Sequence, residues 1–196
     1  MARVLLTFTL ATALLLPAAA HAKGSPAIRA DSSVRARHHR QAGARRAALA
    51  KLVARNPVVF ATSLAERYWG AVPCGGRIAV RTEQPLAAGL DSATDGWVTF
   101  DSSLGQNNVE APASTYTHCT ISLARWQWPT RLEMADDWNM FCLTVTHEMG
   151  HLLGHPHSLT PGSVMAAVFT DETSVPAICR AMRPQVEAAA GLSRIH

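Results

Sequence analysis

What this chain lacks narrows its class before any motif is read. After the first residues it has no apolar run approaching the roughly 20 residues that span a bilayer, so no stable membrane anchor is expected. Its four cysteines, Cys74, Cys119, Cys142 and Cys179, form no C-x-x-C pair, which removes that common zinc-site pattern. Acidic side chains are nearly missing from residues 23–55, where Asp31 stands alone against nine lysines and arginines, a formal charge of 9 − 1 = +8. Residues 56–196 have the opposite balance, eight arginines against thirteen acidic residues, or 8 − 13 = −5. The alkaline isoelectric point therefore belongs to an arm and not to the remainder.

The N-terminal apolar run is short. Arg3, the stretch from Val4 to Leu16, the breaker Pro17 and the small-x-small triplet Ala20-His21-Ala22 predict a secretory signal cleaved after Ala22. Three segments follow: 1–22 as signal peptide, 23–55 as a basic arm or pro-segment lying across the acidic domain, and 56–196 as one compact domain, expected as a monomer. A solvated tail and an anion-binding arm are the other readings of 23–55, and no specific nucleic-acid target is expected. In a secreted, extracellular protein an even number of cysteines predicts two disulfides, with all three connectivities open.

The chemistry is concentrated in His147, Glu148, His151, Gly154 and His157, spaced H-E-x-x-H-x-x-G-x-x-H. Residues four apart on a helix differ by about 40° around the axis, so His147 and His151 share a face and can grip one ion. Glu148 points about 100° away, toward the open side of that ion, where a general base belongs. Gly154 permits positive φ and Pro156 resists helix continuation, so the chain can turn back to present His157 as a third ligand. Three imidazoles leave Zn2+ a fourth position for water. By composition the five letters should arise by accident in roughly 4 of every 100,000 such sequences, which makes chance a poor account of them. His155 lies off the ligand register and is expected to support the site or face solvent.

Eight residues past His157 stands Met165, after the turn formers Pro161 and Gly162; its polarizable side chain suits a floor beneath the imidazoles. The run from His147 to Met165 resembles the metzincin clan of zinc metallopeptidases, and the interval to the methionine together with Ser158 is most similar to the matrixins. The resemblance implies an α+β fold: a small twisted, mostly parallel sheet, an active-site helix, a Met-turn and a C-terminal helix. It also implies a zinc metalloendopeptidase acting on protein or peptide substrates, with His147, His151 and His157 on the metal, Glu148 as general base, and Gly154 and Met165 as structural support. Ala167 occupies the position at which some metzincins carry a tyrosine ligand, so none is expected. Matrixins maintain latency with a cysteine on the zinc; no cysteine precedes Cys74 here, so that switch is absent. The rival readings are a zinc-binding pseudoprotease and a binding protein acting through its basic arm.

Around the motif, Thr130 and Glu133 form a T-x-x-E capping pattern that predicts a helix start. Met134, Trp138, Phe141, Val145, Met149 and Leu152 then recur at steps of three and four as a core-facing stripe. Residues 41–70 read as two helical pieces interrupted at Asn56-Pro57. Arg77 to Thr82, Trp97 to Phe100 and His118 to Leu123 read as strands, and Ala111 to Tyr116 as an extended edge on which a peptide could add. Trp126 and Trp128 are expected in the core rather than in a subsite, and Asp91, Asp95 and Asp101 lack the spacing of a calcium loop.

Overall fold

The computed structural model describes residues 37, 40, 41, 43, 44, 56–170 and 173–192. The chain divides into a unit spanning Met1–Arg40, of which Arg37 and Arg40 are described and helical, and a unit spanning Gln41–His196, which holds everything below. The residues expected to form a signal peptide and most of the basic arm, Asp31 included, lie outside the described residues.

Helix α1, Pro57–Trp69, starts where the sequence predicts. The Asn56 side chain accepts from the amide of Val59 at 3.3 Å, Pro57 opens the helix without a missing donor, and Gly70 ends it at φ 64. Its inward face is Phe60, Ala61, Leu64 and Ala65.

Four strands follow: β1 (Ile78–Glu83), β2 (Gly96–Ser102), β3 (Gly105–Gln106) and β4 (Thr117–Ala124), in the sheet order β1-β4-β2-β3. The α+β class is as expected, but the sheet is mixed rather than mostly parallel. β1 runs parallel to β4, while β2 is antiparallel to both β4 and β3. The expected edge at Ala111 to Tyr116 is not a strand. Pro112 sets φ −57, its carbonyl accepts from the Thr115 amide and hydroxyl, each at 2.8 Å, and Ala113–Thr115 closes into a 3-10 turn.

Helix α2, Arg131–Asp136, is capped by the Thr130 hydroxyl, which accepts from Leu132 N at 3.1 Å and pairs with the Glu133 carboxylate. It does not run unbroken into the motif. Asp137 leaves helical geometry (φ −94, ψ 36), and its carboxylate accepts from the Trp128 indole at 3.2 Å; helix α3, Trp138–Leu152, then begins. Along α3 the predicted stripe is buried throughout, with Trp138, Phe141, Val145, Met149 and Leu152 fully enclosed. Phe60 of α1 stacks on Trp138 at 5.5 Å, and Trp128 meets Phe141 edge-on at 5.4 Å. Each such side chain contributes about 2 to 3 kcal/mol by leaving water, which makes α3 the most firmly held element of the core.

The C-terminal helix α4, Ala177–Ala189, packs against both α3 and α1. The Trp138 indole donates to Cys179 O at 3.0 Å, and a Cys142–Cys179 disulfide joins the two helices. A Cys74–Cys119 bridge ties the turn before β1 to β4. The two expected disulfides are thus both formed, and the open connectivity is decided. Trp128 is core, whereas Trp126 is half exposed and does not line the cleft described next.

Candidate metal centre

His147 and His151 leave α3 on the same side, as the four-residue spacing requires. At the helix end Gly154 takes φ +86, a conformation unfavourable to any residue with a Cβ, and the chain reverses. The reversal is pinned by a 2.7 Å hydrogen bond from Ser158 N to Met165 O and a bridge between Ser158 and Ala166, which delivers His157 to the other two rings. The Nε2 atoms of His151 and His147 are 3.0 Å apart, those of His151 and His157 3.1 Å, and the three histidines offer ligand atoms within 4.8 Å of one another. No other such set of three or more occurs among the described residues; Asp91, Asp95 and Asp101 do not gather, and Asp101 instead pairs with His118 at 3.0 Å.

Backbone carbonyls orient two of the rings. His147 Nδ1 lies 2.8 Å from Val164 O and His151 Nδ1 lies 2.9 Å from His155 O, so both Nδ1 atoms act as donors and both Nε2 lone pairs are free. Burial pushes the His147 pKa down to about 4, against the hydrogen bond to Val164, and the other two rings lower it further; His151 is shifted down for the same first reason. Facing lone pairs about 3 Å apart on neutral rings repel unless a cation lies between them. The donor set therefore fits zinc by its softness, number and neutrality.

Glu148 is buried, and its pKa is pushed up to about 8, first by desolvation and then by the charge of Asp95. A divalent cation beside it would favour its ionised form and draw that value down. Room for its carboxylate comes from Gly96 of β2. A Cβ there would fall 2.8 Å from Thr144 Cγ2 and 3.0 Å from Glu148 Oε1, so β2 can approach α3 this closely only with glycine at that position. Gly150 does the same beneath the histidines, where a Cβ would meet Met165 Sδ at 2.4 Å and Trp69 at 2.8 Å. Met165 is buried in the turn, and Trp69 donates its indole N–H to Thr146 O at 2.8 Å while stacking on His155 at 4.5 Å. His155 thus supports the site twice, by its carbonyl on His151 and its ring on Trp69, and Phe169 lies edge-on to His147 at 5.3 Å.

Residues 88–178 match the family described as Matrixin. The chain is matrixin-like. The matched span of this matrixin-like protein includes β2, β4, the whole of α3 and the Met-turn, and the family is one of zinc-dependent peptidases. No curated protein and no solved structure gives a significant match. Gly96, Gly150, Val164 and Trp69 carry no sequence signal of their own, because their parts depend on which element each one meets across the core.

The three histidines and Glu148 open onto a cleft of about 600 Å³ between α3, the start of β2 and the segment 166–169. Along this wall, Gly96–Thr99 pairs with β4 on one side, while β3 covers the other side of β2 only from Asp101 onward.

Proposed function

We propose that the chain is a secreted zinc-dependent endopeptidase, with His147, His151 and His157 as metal ligands and Glu148 as general base. The observation that carries the reading is the convergence of three Nε2 atoms beside a buried carboxylate at an open cleft. Zinc held there supplies Lewis acidity for the scissile carbonyl and lowers the pKa of water toward 7. Glu148 accepts the proton of the attacking water and passes it to the departing amine nitrogen. The carbonyls of Val164 and His155 hold two of the ligand rings in their working tautomer. Gly96–Thr99 offers free backbone groups on which an extended peptide can pair as an added strand, a mode that fixes the main chain and leaves side-chain choice to the cleft walls. Met165 and Gly154 shape the loop that carries His157.

Secretion rests on the N-terminal run that ends at Ala22 and on the two disulfides, which persist in oxidising compartments. The arm 23–55 is assigned as a removable pro-segment. Zinc content and casein cleavage test the assignment together: Glu148→Ala should keep its zinc and lose about 100- to 10,000-fold in activity, while His151→Ala should lose both. Retained cleavage by Glu148→Ala would refute the general-base role.

A further inference from the structure

The cleft that holds the metal centre carries three carboxylates, Asp91, Asp95 and Glu148, and neither lysine nor arginine. Glu148 has its part in the chemistry, and Asp91 caps its own turn by accepting from Ala93 N at 2.7 Å. Asp95 has no such use. Its main chain is fixed at the head of β2, where its carbonyl accepts from Ala124 N at 2.8 Å, yet among the described residues no hydrogen bond or ion pair reaches its half-buried carboxylate. Burial raises its pKa first and the charge of Asp137 adds to that, while Asp95 in turn raises the pKa of Glu148. Nor is it a fourth metal ligand, since the group that could hold an ion contains histidines alone.

A carboxylate half withdrawn from water without a counter-charge carries a partial cost in free energy, which a cation supplied by the ligand can offset. The apolar residues that line the same cleft narrow the choice of cation. Val98, Met140 and Phe169 present apolar surface suited to an aliphatic stem, while Asp91 places a second negative charge at the rim. A long side chain with a charged tip matches this arrangement.

We propose that the cleft selects a lysine or arginine next to the scissile peptide bond and that Asp95 is the specificity-determining residue. This rests on the peptidase reading above and narrows its substrate class to basic peptides.

The test uses quenched-fluorescent peptides, identical except for Arg, Leu or Glu at the position on either side of the cleaved bond, with the zinc-loaded secreted protein. On one side, Arg should exceed Leu by about tenfold or more in kcat/KM, with Glu lowest. Asp95→Asn should reduce the Arg-to-Leu ratio by about tenfold, chiefly through KM, and Asp95→Glu should restore most of it. Because each ratio compares two substrates on one sample, a partly unfolded variant does not distort it. Should Asp95→Asn fail to fold, raised salt decides on the wild-type protein, where it should lower the ratio by screening. Equal rates for Arg and Leu on both sides, or a ratio unmoved by Asp95→Asn, would overturn the specificity while leaving the peptidase intact. Cleavage of no peptide would overturn both.

Discussion

His147 and Glu148 are adjacent in the chain and both buried, yet burial drives their protonation in opposite directions. The His147 pKa falls from 6.5 to about 4, so between those values the unfolded chain binds a proton that the folded chain refuses, and stability rises with pH across that window. The Glu148 pKa rises from 4.5 to about 8, so there the folded chain keeps a proton that the unfolded chain has released, and stability falls as pH rises from 4.5 to 8. In protein stripped of metal, Glu148→Gln mimics the protonated form and removes the second effect. Thermal melts in chelator should therefore show this variant melting above wild type at pH 8, with the gap closing toward pH 4.5. Parallel melting curves across that range would mean that the Glu148 carboxyl is not held in its neutral form by burial.

The helix carrying the site was legible as an element because its signals are local, an apolar stripe and a ligand spacing that matches the helical turn, whereas the Thr130 cap starts the short helix α2 that precedes it. Gly154 and the Met-turn were legible for the same reason, since turn residues act on their own backbone. Contacts across elements were not. The break at Asp137 goes with a hydrogen bond from Trp128, nine residues away, and the close approach of β2 to α3 depends on Gly96, which resembles any other glycine until Thr144 and Glu148 are found against it. The mixed sheet was hidden likewise, because a strand's residues do not state the direction of its neighbour. Gly96→Ala tests this packing. The added methyl meets side chains in a dense core, so β2 must retreat or Glu148 must turn, at about 1 to 3 kcal/mol. Both a lower Tm and a lower kcat are expected, and an unchanged kcat would show that the spacing of β2 from α3 does not set the position of the base.

Over the whole molecule, the two disulfides close loops of similar length with different contents. Cys74–Cys119 spans a separation of 45 residues and Cys142–Cys179 one of 37, so chain entropy assigns each about 4 kcal/mol, within a usual range of 2 to 4. For a domain of this size a loss of about 3 kcal/mol lowers Tm by about 6 to 12 °C, and replacing either pair by alanine should do so comparably. Their effects on the metal should differ. All three histidines, Glu148, Gly154 and Met165 lie between Cys142 and Cys179 in the chain, and that bridge joins α3 to α4 and so closes the segment that carries the ligands. Without it, the loop that returns His157 is tethered at one end only, and assembling the third ligand requires ordering a longer free segment. Titration with a zinc chelator should thus find weaker metal retention in the Cys142→Ala, Cys179→Ala variant than in Cys74→Ala, Cys119→Ala, at temperatures where both remain folded. Equal retention would place the stiffness of the centre in α3 and the Ser158–Met165 contact alone.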